Sequence, residues 1–235
     1  MPGAYQTLSV GGSDMRSYVH LPEGVQDAPA VVVLHGTNGM DAGTEKAAVD
    51  RLAEEGIAAI VPDLFHRGLA ERAEGSPRSG SMRAADFAAD AQAALDHLRG
   101  SGVVAPERIG IMGFCMGGLV TYLVSGLVAD LRAAVAFYPS YVFRPLGGGK
   151  DPSPFDVTGD IVCPLIIFAG EDDTHPSAED LARMDAELTR HGKVHEIHTY
   201  PDTAHAFMSE TSDSYREHAA KDAWPRSVAW LKRYL

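Results

Sequence analysis

The sequence predicts an α/β fold in which helices cover both faces of a doubly wound, mostly parallel β-sheet. The first observation is a series of short, continuous apolar runs, at residues 30–34, 58–61, 109–112, 133–138 and 165–169. Strands that are covered on both faces have such uninterrupted runs, whereas half-exposed strands alternate. The second observation is that helical patterns lie between the runs, and this alternation builds right-handed βαβ units.

The N-terminal segment differs from the rest of the chain. Residues 5–10 and 16–21 flank the turn-forming residues 11–14, and this pattern predicts an antiparallel hairpin at one edge of the sheet. A helical stripe of apolar residues then runs over 87–98, with charged residues on its other face. Along the chain, the hairpin precedes the first two predicted parallel strands and this helix follows them.

Three further helices and one strand are predicted in the second half of the chain: helix 119–124, helix 181–188, strand 194–200, and a helix from residue 224 to residue 235. Ser177 is the candidate N-cap of the helix at 181–188, and Gly192 ends it. Pro225 is expected in the first turn of the last helix, where a missing N–H is tolerated. These elements complete the alternation that a doubly wound sheet requires.

Composition limits the classes of protein that this chain can belong to. Its 235 residues include 20 Lys and Arg against 32 Asp and Glu, a formal net charge of −12. The length predicts one α/β domain spanning residues 1–235. An acidic chain without a basic patch repels a phosphate backbone, so we expect no nucleic-acid partner. The first residues do not show a basic region followed by an apolar run, and no run of about 18 apolar residues occurs, so we expect neither an export signal nor membrane association.

Cysteine usage and loop length add two expectations. Cys115 and Cys163 are too few for a disulfide framework, which favours a reducing compartment and a cytoplasmic location. The sequence carries no signal for an oligomeric state. Residues 64–82 and 141–160 are long segments rich in Gly, Pro, Ser and charge, and loops of this length often cover active sites.

A Gly-x-Cys-x-Gly motif lies at a strand-to-helix transition. Cys115 follows the apolar strand at 109–112 and is flanked by Gly113 and Gly117. This is the pattern of a nucleophile elbow, in which a side chain at either glycine position collides with a neighbouring element. A thiol at a helix N-terminus has a lowered pKa, because the dipole favours the thiolate. We therefore predict that Cys115 is a nucleophile, whereas Cys163 lacks the glycines and is predicted to be structural.

A cysteine nucleophile needs a base, and the base needs an acid that orients it. In α/β-hydrolase topology the chain order is nucleophile, acid, histidine. Asp172 and Asp173 follow the strand at 165–169, at the carboxyl edge where such sheets bind ligands, and either carboxylate suits the role. His205 follows the last candidate strand, so it completes the expected order.

The same topology predicts an oxyanion hole made of two backbone N–H groups. One belongs to Met116, the residue after the nucleophile, and the other to Thr37 in the loop after the first parallel strand. His35 precedes Gly36 in this loop, and we expect it to shape the loop rather than to act as the base.

Other motifs do not support a metal or a cofactor. His195 and His198 would face opposite sides of a strand and cannot bind one ion. Lys150 follows three glycines as in a phosphate loop, but Arg144 and Asp151 occupy positions that need Gly and Ser or Thr. No Gly-x-Gly-x-x-Gly follows the first parallel strand. We therefore expect neither a metal nor a cofactor.

Three motifs together resemble the dienelactone hydrolase family of α/β-hydrolases. They are Gly-Phe-Cys-Met-Gly-Gly at 113–118, Gly-Glu-Asp at 170–172 with Pro176, and His-Ala-Phe at 205–207. The resemblance covers nearly the whole chain and implies a Cys–Asp–His triad. It selects Asp172 over Asp173, because the family's acid precedes the loop proline by four residues. The residues implied in this way are Cys115, Asp172 and His205 for the triad, with Thr37 and Met116 as oxyanion donors.

Two positions depart from the family members that open dienelactones. Gly36 stands where they carry a glutamate that interacts with the resting thiol, and Ser209 stands where they carry an arginine for the substrate carboxylate. Arg78, Arg83 and Arg144 are candidate replacements for that arginine. An uncharged or differently charged ester is therefore at least as consistent with this sequence as dienelactone itself.

The sequence as a whole predicts a hydrolase that opens a small-molecule ester or lactone through a thioester intermediate. Gly36, Tyr138 and Phe207 are candidates for the pocket lining, although core packing explains the two aromatic residues equally well. Two alternatives stay open at this stage. One is a thioesterase that uses the same residues, and the other is a small-molecule-binding protein whose elbow is idle.

Overall fold

The computed structural model describes residues 3–68 and 83–235 and contains an eight-stranded sheet. The strands are β1 (Ala4–Val10), β2 (Ser13–His20), β3 (Ala28–Leu34), β4 (Ala58–Pro62), β5 (Val104–Phe114), β6 (Ala133–Phe137), β7 (Leu165–Gly170) and β8 (His195–Tyr200). The helices are α1 (Thr44–Glu54), α2 (Ala84–Arg99), α3 (Met116–Leu127), α4 (Ala178–Arg190) and α5 (Glu217–Tyr234).

The strand order is β1-β2-β4-β3-β5-β6-β7-β8. The hairpin of β1 and β2 pairs antiparallel to β4, and the six strands from β3 to β8 are parallel. The predicted α/β-hydrolase fold with an N-terminal antiparallel edge hairpin is therefore confirmed. Because the order reverses between β3 and β5, loops at their carboxyl ends diverge there and leave a crevice.

Two buried apolar clusters lie on opposite faces of the sheet. Helices α2, α3 and α4 pack on one face, and α1 and α5 pack on the other. The central strands β3 to β7 are almost fully buried, as their uninterrupted apolar runs predict. Helix α4 begins at the expected N-cap, where Ser177 and Asp180 form a capping box.

Two helices differ from the sequence-based expectation. Helix α1 has a narrow apolar stripe, Ala48, Val49 and Leu52, that is too short to predict a helix on its own. Helix α5 begins at Glu217, so Pro225 lies within it and not in its first turn. The apolar face of α5 extends back to Ala219, and this burial outweighs the single hydrogen bond that the proline cannot donate.

The structure describes the two predicted long loops, residues 64–82 and 141–160, to different extents. Residues 69–82 of the segment 64–82 lie outside the described residues. The segment 141–160 folds over the carboxyl edge of the sheet and ends in a 3-10 helix, Pro154–Asp160, which packs against α3. Within the described part of the chain, no helix has the length and hydropathy needed to cross a membrane.

Candidate active site

Cys115 occupies a sharp turn between β5 and α3. Its backbone has φ 56° and ψ −115°, an unusual conformation for a residue with a side chain. A Cβ at Gly117 would lie 2.0 Å from the Leu34 carbonyl oxygen, and one at Gly113 would lie 2.1 Å from the Gly117 carbonyl oxygen. Both glycines are therefore required by close backbone approach, and the turn presents the half-buried thiol at the N-terminus of α3.

His205 is held by a buried carboxylate. Its Nδ1 lies 2.7 Å from Oδ2 of Asp173, whose side chain is only 2% exposed. The second oxygen, Oδ1, accepts the N–H of His175 at 2.8 Å. Since Nδ1 faces the carboxylate, it carries the proton, and Nε2 is left facing the thiol side of the site.

The carboxylate that contacts His205 belongs to Asp173, whereas the resemblance implied Asp172. Asp172 is exposed, and its backbone N–H donates to the carbonyl of Thr203 at 2.9 Å. The next residue turns back toward the sheet, because the N–H of Asp173 donates to the Gly170 carbonyl at 3.3 Å. The turn therefore directs the side chain of Asp173 inward and leaves Asp172 on the surface.

Ser140 joins the site from the end of β6 and was not predicted from the sequence. Its Oγ lies 3.5 Å from Cys115 Sγ and 3.4 Å from His205 Nε2, and the residue is buried. A lone serine after Pro139 carries no motif, so only the register of β6 beside β5 brings it to the thiol. The hydroxyl is placed to exchange hydrogen bonds with both groups.

The electrostatics of the site favour a thiolate beside an imidazolium. Burial acts to raise the pKa of Cys115, but hydrogen bonds and charge from His205, together with Ser140 and the Met116 N–H, lower it below its ordinary value. Burial acts to lower the pKa of His205, but hydrogen bonds to Asp173 and Cys115 raise it to about 9. The two groups titrate as one pair in which each stabilises the charge of the other.

The loop after β3 runs directly beside the thiol. A Cβ at Gly36 would lie 3.4 Å from Cys115 Cβ, so a side chain at this loop position would be in van der Waals contact with Cys115. His35 is fully buried behind it: the Leu64 N–H donates to Nε2 at 2.9 Å, and Nδ1 lies 2.7 Å from the Gly36 carbonyl. Accepting at Nε2 leaves the proton on Nδ1, so His35 is a neutral loop support.

An apolar cavity of about 590 Å³ opens on one side of Cys115. Its apolar wall consists of Met116, Leu119, Tyr141, Pro145 and Leu146. Thr37, Cys115 and His205 also line it. The beginning of the segment 141–160 therefore forms one wall of the space next to Cys115.

A polar cavity of about 390 Å³ opens on the other side and shares Thr37, Cys115 and His205 with the apolar cavity. Its remaining polar lining comes from Asn38, Thr44, Glu45, Ser209, Thr211 and Ser212. Gly36 and Tyr138, two of the predicted pocket residues, belong to this cavity. Cys115 and His205 thus lie between two cavities of different chemistry.

Phe207, the third predicted pocket residue, is instead a core residue. It is fully buried, and its ring packs against Tyr138 at 5.2 Å and Tyr200 at 5.5 Å between centroids. The ring of Tyr138 in turn meets the ring of His205 edge-on at 4.9 Å. Phe207 therefore supports the residues of the pocket from behind and does not line the cavity.

The candidate arginines for binding a substrate carboxylate differ in their surroundings. Arg144 lines the apolar cavity, with its guanidinium 3.9 Å above the ring of Tyr141. Arg83 forms a two-point ion pair with Asp151, and Arg78 lies outside the described residues. Among residues 3–68 and 83–235, no group of three His, Cys, Asp or Glu residues is arranged to hold a metal ion.

Comparison with known proteins gives a consistent picture. Residues 15–235 match the model of the Dienelactone hydrolase family. A Salmonella typhimurium protein assigned as a carboxymethylenebutenolidase is 32% identical over 244 residues, which cover 95% of this chain and 84% of that protein. A Bradyrhizobium protein assigned as a 2-oxo-3-(5-oxofuran-2-ylidene)propanoate lactonase is 26% identical and covers 97% of this chain and 93% of its own length.

The likeness extends to a solved structure. A crystal structure of a Klebsiella pneumoniae protein assigned as a dienelactone hydrolase superimposes with a TM-score of 0.86 at 27% identity. The superposition covers 99% of this chain and 98% of that one. The similarity therefore concerns the sheet, its helices and their connections, and not only the elbow motif.

Proposed function

This chain belongs to the dienelactone hydrolase family, and from that premise we propose that it hydrolyses a small-molecule ester or lactone through a thioester on Cys115. The observation that carries the proposal is the position of the thiol. It lies at the N-terminus of α3, between two cavities, with Ser140 and His205 on one side and the loop of Gly36 on the other. A positive helix end and an adjacent imidazolium both favour an attacking thiolate.

Acylation begins when the Cys115 thiolate attacks the carbonyl carbon. The S–C bond forms, and the π electron pair of the carbonyl moves to its oxygen. We assign the stabilisation of this oxyanion to the N–H groups of Met116 and Thr37, the first at the start of α3 and the second in the loop beside the thiol. Collapse of the tetrahedral intermediate breaks the C–O bond, and the leaving alkoxide takes the proton from His205 Nε2.

Deacylation uses the same groups in the opposite direction. His205, now neutral, takes a proton from water as the water oxygen attacks the thioester carbonyl. Collapse releases the carboxylic acid and regenerates the thiolate beside an imidazolium. Asp173 holds the imidazole in the productive tautomer throughout and stabilises its positive charge, because Oδ2 accepts from Nδ1 at 2.7 Å.

The substrate class follows from the size of the cavities and from the relatives. Cavities of about 390 and 590 Å³ suit small organic molecules and not polymers. The relatives named above are assigned as lactone-opening enzymes, so lactones of small organic acids are the first substrates to test. Opening a lactone requires no separate leaving group, since the alkoxide and the acyl group stay in one molecule.

The decisive experiment measures p-nitrophenyl acetate hydrolysis by the wild-type protein and by two cysteine variants. Cys115→Ala should lose nearly all turnover, and it should not acquire the acetyl group that mass spectrometry of a rapidly quenched wild-type reaction detects. Cys163→Ala is the matched control, because this second thiol is buried and its pKa is raised to about 11 by burial. It should keep wild-type turnover and acetylation.

Two results would overturn the proposal. The first is full activity of a folded Cys115→Ala variant. The second is a folded, reduced wild-type protein that turns over neither activated esters nor a panel of lactones, which would favour a binding protein with an idle elbow. Near-ultraviolet circular dichroism of all three proteins distinguishes loss of chemistry from loss of fold.

A further inference from the structure

Glu45 is a buried carboxyl group in the wall of the polar cavity that the proposed chemistry does not use. It lies in the first turn of α1 and is only 4% exposed. Its Oε1 accepts the N–H of Gly36 at 3.0 Å. Its Oε2 has no hydrogen-bond partner among the residues that the structure describes. Oε1 is thus hydrogen-bonded to the loop beside the thiol, and Oε2 has no partner among the described residues.

A buried polar atom without a partner is costly, and such groups in native proteins are usually satisfied by a ligand, an ion or water. The position in the first turn of α1 favours the ionised carboxylate, whereas burial raises the pKa of Glu45 above its ordinary value. Oε2 therefore accepts a hydrogen bond when the group is ionised and donates one when it is protonated. A hydroxyl group is the simplest partner that satisfies both states, because it both donates and accepts.

The rest of the polar cavity points to the same chemistry. Apart from Cys115 and His205, its other polar side chains are hydroxyls and one amide, from Thr37, Asn38, Thr44, Tyr138, Ser209, Thr211 and Ser212. No Lys or Arg is among the described residues that line it. The His205 imidazolium lines the cavity too, but Asp173 and the Cys115 thiolate already pair with it. An anionic group placed there would therefore face Glu45 without an unpaired cation, whereas a neutral hydroxyl meets no such repulsion. Arg144, whose guanidinium is also near Cys115, lines the apolar cavity instead.

We propose that the polar cavity is a substrate subsite in which Glu45 Oε2 binds a hydroxyl group, so that the substrate is a hydroxylated ester or lactone. This inference rests on the proposed function and adds a specificity-determining residue to it. The cavity includes Cys115 and His205, so a hydroxyl bound there lies within a few bonds of the scissile carbonyl. Loss of the contact should weaken discrimination between substrates that differ only in that hydroxyl.

The test compares matched esters with and without a hydroxyl. p-Nitrophenyl glycolate against p-nitrophenyl acetate places the hydroxyl on the acyl side, and 2-hydroxyethyl against ethyl benzoate places it on the alcohol side. A hydrogen bond to a charged or chargeable group predicts that wild type prefers the hydroxylated ester in at least one pair, by about tenfold or more in kcat/KM and mainly through KM. 2-Aminoethyl benzoate is the third alcohol-side substrate.

Variants assign the preference to Glu45. Glu45→Met keeps the length of the side chain without polar atoms, so the preference ratio should fall to near one. Glu45→Gln retains an acceptor for the Gly36 N–H and presents an N–H in place of Oε2, so an intermediate ratio is expected even if the methionine variant folds poorly. Glu54→Gln, an exposed position at the other end of α1, should keep the wild-type ratio.

Each remaining outcome contradicts the inference in a distinguishable way. A ratio near one in both pairs, with p-nitrophenyl acetate still hydrolysed, overturns the hydroxyl subsite and leaves the proposed function intact. An unchanged preference in a folded Glu45→Met variant shows that another residue makes the contact. A tenfold preference of wild type for the aminoethyl over the hydroxyethyl ester shows that the subsite takes a cation. No turnover of any ester or lactone by wild type overturns the proposed function and this inference together.

Discussion

His205 Nδ1 lies 2.7 Å from Asp173 Oδ2, and this contact links two loops that leave neighbouring parallel strands. The loops are held together by backbone hydrogen bonds from Glu171 to Tyr200 and from Asp172 to Thr203, each 2.9 Å long. A Cβ at Gly170 would lie 2.0 Å from the Thr203 carbonyl oxygen, so only glycine permits this close approach. The imidazole of His205 and the carboxylate of Asp173 are therefore held in a fixed relative position by the backbone of the two loops.

The first prediction concerns the choice of acid. Asp173→Asn should reduce kcat by up to about 10⁴-fold, because the amide cannot stabilise the imidazolium and favours the wrong tautomer. The kcat of Asp172→Asn should stay within about twofold of the wild-type value. The side chain of Asp172 is exposed, and its contact with Thr203 is made by the backbone N–H, which the substitution keeps. Steady-state kinetics of the two variants with p-nitrophenyl acetate decide between them. A larger loss in the Asp172 variant would show that the loop rearranges in solution.

The one-residue difference between Asp172 and Asp173 shows what the sequence can and cannot specify. Apolar runs, flanking glycines and chain order are enough to predict the sheet, the elbow and the loops in which Asp173 and His205 meet. Which of two adjacent carboxylates faces the histidine depends on the turn after β7, where the N–H of Asp173 bonds back to Gly170. The number of residues between an aspartate and Pro176 does not reveal which carboxylate faces the histidine.

The second prediction is a pH profile with a late alkaline limb. The pKa of His205 is raised to about 9, so the imidazolium that protonates the leaving group persists through neutral pH. The pKa of Cys115 is lowered, so its thiolate forms at lower pH than that of an unperturbed cysteine. kcat/KM should therefore rise as the thiol ionises and fall above about pH 9 as His205 loses its proton. In Asp173→Asn the carboxylate that raises the pKa of His205 is lost, and the alkaline limb should move to lower pH.

The two limbs of this profile belong to the coupled pair and not to either residue alone. Direct titration of the thiolate by its ultraviolet absorbance separates the acid limb from the alkaline one. An alkaline limb that stays in place in Asp173→Asn would show that the acid does not control the protonation of His205.

The third prediction concerns Ser140, which lies between the thiol and the imidazole. Its hydrogen bond is one of the contacts that lower the pKa of Cys115. Ser140→Ala should therefore raise that pKa and reduce kcat/KM on the acid side by about fivefold, the value of one hydrogen bond, with a smaller loss at pH values where the thiol is fully ionised. Thiolate titration and the pH profile together check this. Equal losses at every pH would instead indicate a purely steric role.

Ser140 and Glu45 also show why part of the site escapes sequence analysis. Neither residue belongs to a motif: Ser140 reaches the thiol because β6 lies beside β5, and Glu45 reaches the polar cavity from a helix with a weak apolar stripe. Their roles come from three-dimensional placement. Cys115 and His205 were identifiable because flanking glycines and position in the topology leave a local signature.

The fourth prediction concerns the elbow itself. Gly117→Ala should cost more than about 4 kcal/mol of unfolding free energy or prevent folding, since its Cβ would lie 2.0 Å from a backbone oxygen. Gly100→Ala is the control: this residue ends α2 with φ −74°, and the nearest atom to its Cβ would be 3.4 Å away. Gly100→Ala should change the free energy of unfolding by no more than about 1 kcal/mol. Urea unfolding of both variants measures the difference, and comparable stabilities would mean that the turn adapts.

The fifth prediction uses the charge of Arg144 at the edge of the apolar cavity. The chain has a net charge of −12, so an anionic substrate approaches against overall repulsion and gains most from a local cation. Arg144→Gln should therefore raise KM for p-nitrophenyl hemisuccinate about fivefold relative to KM for neutral p-nitrophenyl butyrate, and added salt should reduce the wild-type advantage. Arg132→Gln, an exposed change before the start of β6 at the opposite edge of the sheet, should leave the ratio unchanged. An equal rise in both KM values would assign Arg144 to packing against Tyr141, where its guanidinium lies 3.9 Å above the ring, and not to recognition of charge.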